Sequence, residues 1–197
     1  MQGYFSVGLG SHKAYREHRQ TIEQLTRAIN RLRTVQMRYY TASRDVTSSR
    51  EVDPYHLRYA QGGLYLIAYC HWRKDVLLFA VNRIQALTIT KHPYQLPLDF
   101  DIDEYVRDAL MIMRGKPIEV ELYFDRPTAA WVKDRQWHPS QRATLGKDGG
   151  LTLTLQVAET RELTGWVLSF GSEVGVLKPA SLRESVRDEA RKIAQGE

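Results

Sequence analysis

Near the start of the chain, apolar positions recur at three- and four-residue spacing. Ile22, Leu25, Ile29 and Leu32, with Ala28 beside them, form one stripe of a helix predicted over residues 14–32. Arg16, Arg19, Arg27 and Arg31 decorate its other faces. The period then drops to two. Val35, Met37 and Tyr39 alternate with Gln36, Arg38 and Tyr40, which predicts a strand over 34–40. A polar turn region over 41–49 follows, with further strands at 56–60, 64–72, 76–84 and 86–90. Gln61-Gly62-Gly63 reads as a hairpin connection and residues 71–75 as another. One helix followed by short antiparallel strands and tight turns implies a small, strongly bent sheet or barrel.

Pro93 and Pro97 mark residues 92–103 as a crossover segment, ahead of a short helix predicted over 102–111. Arg114-Gly115-Lys116-Pro117 then breaks the chain. Beyond it, Ile118, Val120, Leu122 and Phe124 share one face of a strand, and Arg126-Pro127 opens a helix to residue 135. Strands at 136–144 and 151–157 flank the turn 146–150; a helix over 160–170, a strand over 174–178 and a helix over 181–194 complete the chain. The order β-α-β-β-α-β is the split-βαβ, ferredoxin-like one, with one extra helix. The fold class is therefore read as α+β. Its parts are an arm or linker over 1–13, a helix with a small barrel over 14–113, and a ferredoxin-like domain over 114–197.

Composition agrees with two compact units: 197 residues, 43% hydrophobic and 26% charged, are ordinary for a globular protein. No apolar run is long enough to cross a bilayer, and the N-terminus lacks the core of a signal peptide. The expected location is the cytoplasm, without membrane attachment. The single cysteine, Cys70, cannot form an internal disulfide and reads as a small core residue. Charge changes the picture more. Residues 1–100 hold 14 Lys and Arg against 7 Asp and Glu, whereas residues 101–197 hold 14 against 16. A polyanion is a fitting partner for the first half, the alternative being a solvated basic helix.

Catalytic chemistry finds no support. The six histidines are scattered, one cysteine makes no thiolate cluster, and no G-x-S-x-G elbow presents a serine. Gly146–Gly150 lacks the glycine spacing of a phosphate loop and precedes an alternating strand rather than a helix. Asp99, Asp101, Asp103 and Glu104 read as a solvated loop at a helix start. The expectation is no enzyme, no metal and no cofactor.

The segment 50–84 resembles the WYL domain, a ligand-sensing module of bacterial transcription regulators. The likeness is carried by Pro54 and Leu57, the Leu64-Tyr65-Leu66 tripeptide, Cys70, Arg73, Phe79 and Asn82-Arg83-Ile84, and extends to Ala28-Ile29 and Tyr39. Trp166, Phe170-Gly171 and 179–182 look like the extension that often follows such domains. The resemblance implies a small Sm-like or SH3-like barrel followed by an α/β extension. Two positions depart from it. Leu64 stands where the tripeptide has tryptophan, and Leu77 where an arginine two residues before the phenylalanine is usual. The latter removes one cationic contact expected of the family's pocket. Such regulators usually begin with a winged helix-turn-helix that binds promoter duplex DNA, for which there is no room before Ala14.

Strand alternation assigns the site. Over 64–72, Leu64, Leu66, Ala68, Cys70 and Trp72 should face the core, and Tyr65, Ile67, Tyr69 and His71 the outside. His56 and Arg58 point outward on the preceding strand, and Arg73 and Arg83 reach the same rim. His56, Arg58, Tyr65, Tyr69, His71, Arg73 and Arg83 thus form the candidate ligand or nucleic-acid site, since rings stack on bases while cations hold phosphates. Each also has a structural alternative: cross-strand packing for the tyrosines, surface positions for the histidines and an ion pair for Arg83. Trp131, Trp137, His138 and Trp166 read as packing, or as a surface meeting another subunit. The leading expectation is a homodimeric sensor whose effector, a single-stranded DNA, controls promoter binding. A small anionic nucleotide, a purely structural dimerisation module and an RNA-binding Sm-like protein are the alternatives.

Overall fold

The computed structural model describes residues 13 and 15–196. The chain divides at Ile102/Asp103 into two compact units. In the first, a 3-10 turn at Arg16–His18 leads into helix α1, Arg19–Asn30. The expected arm lies, apart from Lys13, outside the described residues, as does Ala14. Leu25 and Ala28 of α1 are fully buried, as the apolar stripe predicts. Leu32 falls beyond the helix, in the left-handed region at φ +48°.

Five strands follow: β1 (Arg33–Thr41), β2 (Val46–Ala60), β3 (Gly63–Cys70), β4 (Asp75–Ala80) and β5 (Ile84–Pro93). They form an antiparallel sheet of order β4-β3-β2-β1-β5. The polar region expected to be a turn over 41–49 is mostly the start of β2. Its side chains there are largely exposed, so no apolar alternation announces the strand. Gln61 and Gly62 both adopt positive φ, +50° and +68°, the two-residue hairpin geometry whose handedness suits strand twist. Between β4 and β5 a 3-10 turn, Val81–Arg83, takes the place of a tight hairpin. β5 accordingly pairs with β1, and among the described residues β4 and β5 stay edge strands instead of closing the expected barrel.

The core of this unit joins Leu25 and Ala28 to Val35, Met37, Tyr39, Val52, Leu66, Ala68, Cys70 and Phe79. β2 carries a bulge. Pro54 faces Ala68 and His56 faces Ile67, leaving Tyr55 as the extra residue. The Tyr55 ring lies 5.9 Å from that of Tyr94 and 4.8 Å from that of Phe100, and the Tyr94 hydroxyl donates to the Pro54 carbonyl. The segment after β5 is thereby tied back over the bulge.

A short helix, α2 (Ile102–Val106), precedes the second unit's sheet. The division lies ahead of the expected break at residues 114–117, and hydrogen bonding gives the reason. The Asp108 carbonyl accepts from the Ala158 amide at 2.7 Å, and the Glu162 carboxylate from the amides of Ile112 and Met113 at 3.0 and 2.8 Å. The remaining elements are β6 (Pro117–Phe124), α3 (Arg126–Lys133), β7 (Arg142–Leu145), β8 (Leu151–Ala158), α4 (Arg161–Leu168), β9 (Val174–Lys178) and α5 (Ala180–Gln195). Their strands run antiparallel in the order β7-β8-β6-β9. β7 is shorter than predicted because residues 136–141 form a loop around buried His138. Its ring nitrogens lie 2.7 Å from the Arg107 carbonyl and from the Ser140 hydroxyl. Trp131, Trp137, Trp166 and Phe170 pack ring against ring, with Trp131 left 46% exposed. Among the described residues no helix is long and apolar enough to cross a membrane.

Leu66 is fully buried at the centre of the first core, so Leu66→Ala should cost about 2–5 kcal/mol. Fully exposed Leu98 should tolerate the same change within about 0.5 kcal/mol. Urea titrations of both variants check the contrast.

Candidate functional site

Burial of Leu66, Ala68 and Cys70 fixes which way β3 faces, because successive side chains alternate across a strand. On the opposite face Tyr65 sits across from Arg58 and Ala80, Ile67 across from His56 and Leu78, and Tyr69 across from Asp53 and Val76. Tyr65 and Tyr69 are half-buried and His56 is exposed, while Ile67 is fully buried yet outside the core cluster. Gly63 makes room for the Tyr65 ring: a Cβ there would come within 2.9 Å of Tyr65 Cε2.

Two of the predicted residues, Arg58 and Arg83, gather round that ring together with Lys13. Lys13 places its ammonium 5.9 Å from the Tyr65 centroid and donates to the Asn82 side-chain carbonyl at 2.9 Å. Partial burial, with the nearby Arg83 charge, pushes the Lys13 pKa down. Arg58 completes the group from β2, its Nε buried without a hydrogen-bond acceptor among the described residues. Lys13, missed by strand alternation because it lies outside the strands, is thus a third cation at this face.

Tyr69 and His71 form a separate pair, their rings 5.6 Å apart. His71 Nε2 lies 2.9 Å from the Asp53 carboxylate, whose other oxygen accepts from the Thr34 hydroxyl at 2.6 Å. A histidine held on a buried carboxylate ties the end of β3 to β2, and its ring nitrogen is already engaged.

The largest departure concerns Trp72. Predicted to point into the core, it is 60% exposed, because β3 ends at Cys70 and the turn that follows, with Lys74 at φ +54°, leaves the sheet. Its indole instead meets two guanidinium groups, with Arg50 Cζ at 3.9 Å and Arg73 Cζ at 4.9 Å from the ring centroid. Arg50 shares the inward face of β2 with Val52 and stands opposite Met37. Its Nε and Nη1 are buried with no acceptor among the described residues, as is the Ser48 hydroxyl on the same face. Desolvation, with the neighbouring Arg73 and Arg44 charges, lowers the Arg50 pKa. Alternation taken strand by strand hid this group, since Arg50 lay between the turn expected over 41–49 and the strand expected from residue 56. None of Arg50, Arg58, Arg73 and Arg83 forms an ion pair with a carboxylate of a described residue. No group of metal-ligating side chains occurs among the described residues.

The first unit therefore presents two cationic, aromatic centres, one around Tyr65 on the outer face and one around Trp72 at the rim of the inner face. Both suit an anion with flat rings, and neither brings together a nucleophile and a base.

Residues 20–89 match the WYL domain and residues 116–194 the WCX domain. An uncharacterized HTH-type transcriptional regulator of Bacillus subtilis, YobV, is 28% identical over 166 residues, which are 84% of this chain and 52% of that protein. Protein PafC of Mycobacterium tuberculosis is 28% identical over 166 residues, 83% of this chain and 50% of that protein. The chain thus spans about half the length of these relatives. Among solved structures, proteasome accessory factor B/C (PafBC) of Arthrobacter aurescens aligns over 89% of this chain and 27% of its own, at 26% identity and a TM-score of 0.43. A CRISPR Cas-related protein shares the fold over 90% of this chain and 50% of its own, at 13% identity and a TM-score of 0.56.

Removing an unpaired, desolvated cation should relieve the fold. Arg50→Met is expected to leave stability unchanged or raise it, whereas Asp53→Ala should cost about 1–3 kcal/mol by orphaning the Thr34 hydroxyl. Denaturant midpoints decide. A loss above about 1 kcal/mol for Arg50→Met, the size of a typical net hydrogen bond, would make Arg50 a structural residue.

Proposed function

The chain belongs to the WYL-domain family, and on that premise we propose that it is the effector-binding and dimerisation region of a bacterial transcription regulator whose effector is single-stranded DNA. The observation that carries the ligand is the Arg50–Trp72–Arg73 stack, two guanidinium groups on one exposed indole with no ion pair to a carboxylate of a described residue. Stacked bases and phosphates satisfy such a surface together, at about 1–3 kcal/mol per stacked base. Arg58, Tyr65 and Arg83 provide a second contact of the same kind, and His56, Tyr69 and His71 border the two.

The strand order β4-β3-β2-β1-β5 supports reading the first unit as an Sm-like, SH3-like sheet left open, and β7-β8-β6-β9 with its βαββαβ order supports a ferredoxin-like second unit. The second unit, with Trp131 partly exposed, is the surface we assign to homodimer contacts. Promoter duplex binding belongs in this reading to a winged helix-turn-helix in the rest of a regulator; the Bacillus subtilis relative is named an HTH-type transcriptional regulator. Effector binding here changes operator affinity there through coupling between sites. The protein is not an enzyme in this reading and acts in the cytoplasm. The small footprint of the Trp72 stack favours, as a second reading, a single nucleotide.

Fluorescence anisotropy with labelled single-stranded DNA, duplex and RNA of one sequence is the test. Single-stranded DNA should bind tightest, with affinity falling steeply as salt rises. Arg58→Ala and Arg83→Ala should each weaken it about tenfold, or ~1.4 kcal/mol. A chain that stays dimeric but binds neither oligonucleotides nor nucleotides would be a dimerisation module and end the sensor reading.

A further inference from the structure

The inner-face centre differs from the outer one in a way that bears on which part of a nucleic acid enters it. Arg50 lies on the face of β2 that holds Val52, and its cross-strand partner is core residue Met37. Its guanidinium neighbours Cys70 and Tyr39, both buried, so core closes that side while exposed Trp72 faces solvent on the other. A group that ends a chain can meet Arg50 from the Trp72 side without the strand having to continue past it. The outer face around Tyr65 instead spreads Arg58, Tyr65 and Ala80 side by side across three strands, so a strand can continue across it.

Charge points the same way. Arg50 and Arg73 flank one indole, Arg44 adds its field, and no carboxylate of a described residue pairs with Arg50 or Arg73. Two buried nitrogens of Arg50 and the Ser48 hydroxyl lack partners. Donors in that number suit an acceptor-rich dianion better than the single charge of an internal phosphodiester. A phosphate monoester carries nearly two charges at pH 7, its second pKa being about 6. Trp72 sits where the first base or sugar beyond that group would lie, and its exposure leaves the ring able to change stacking partner.

We propose that Arg50, Arg73 and Ser48, beneath Trp72, form a pocket for a terminal phosphate monoester, so that the protein reads the phosphorylated end of its effector strand. The inference rests on the nucleic-acid reading above and adds polarity to it. The chain end anchors at Trp72, and the rest of the strand is held by phosphate contacts elsewhere on the first unit.

The test uses the full chain and three oligonucleotides of one sequence with an internal fluorophore, bearing a 5′-phosphate, a 3′-phosphate, or hydroxyls at both ends. One phosphorylated form should bind at least tenfold tighter than the hydroxyl form, and which one it is gives the strand polarity. Lowering the pH from 7.5 to 5.5 should shrink that ratio as the monoester loses its second charge. Arg73→Ala, on an exposed turn and so safe for folding, and Arg50→Lys should bring the ratio toward one. Arg58→Ala should weaken all three oligonucleotides by the same factor and leave the ratio intact. In a Trp131→Phe, Trp137→Phe, Trp166→Phe background, the phosphorylated strand should change Trp72 emission more than the hydroxyl strand does. Equal affinity for all three oligonucleotides would overturn the pocket while leaving the single-stranded DNA reading in place. Absence of binding by any of them would overturn both. A ratio insensitive to Arg50 and Arg73 would place end recognition elsewhere and refute this assignment.

Discussion

Everything at the candidate site depends on the facing of β3. Leu66, Ala68 and Cys70 fill the core together with residues from α1, β1, β2 and β4, and a shift of the strand by one residue would turn all three to the outside. With that exchange forbidden, Tyr65 and Tyr69 have no choice of face, and cross-strand pairing carries Arg58 and Asp53 to the same side. The bulge at Tyr55 serves the same constraint. It absorbs one extra residue of β2, so that Pro54 and Leu57 both remain on the inner face although an odd number of steps separates them. The ties from Tyr94 and Phe100 to Pro54 and Tyr55 then hold the irregular stretch in place.

Much of this was legible because burial writes itself into periodicity. The apolar stripe of α1, the alternation of β1 and β3, the Gln61–Gly62 turn and the βαββαβ order of the second unit all depend on which side chains must leave water. What escaped had no such signature. The start of β2, residues 46–49, is largely exposed and carries no apolar alternation, so its strand character comes from backbone pairing with β1, which no single residue announces. Trp72 misled for the opposite reason. A large aromatic in phase with Leu66 and Cys70 reads as core, yet the strand stops two residues earlier and the ring covers a guanidinium instead.

Of the seven residues expected at the site, Arg58, Tyr65 and Arg83 gather on the outer face, His56 stands exposed opposite Ile67, Tyr69 pairs with His71, and Arg73 belongs to the inner rim. His71 illustrates how a candidate ligand group can be taken up by the fold: Asp53 is buried and needs donors, and His71 with Thr34 provides them. Arg50 is the converse. Two of its nitrogens are buried, yet no acceptor among the described residues meets them, and a fold seldom retains such a group without a use for it.

The substitution at Leu77 fits this arrangement. The residue pairs with Ala68 and packs against the first core, so an arginine at that position would share the inner face with Arg50. With leucine there, the face loses a cation but gains apolar contact, and the deficit is made good from the turn. Trp72, released from the sheet, spreads its ring over Arg50, and that ring in turn holds Arg73 above it at 4.9 Å. An indole accepts a guanidinium on each face without requiring a carboxylate, so two like charges can stand close together while their hydrogen-bonding edges stay uncommitted. A salt bridge would have stabilised either arginine equally well, but it would have neutralised the charge. Holding the cations by π contact keeps the inner rim of the sheet positive and attractive to anions.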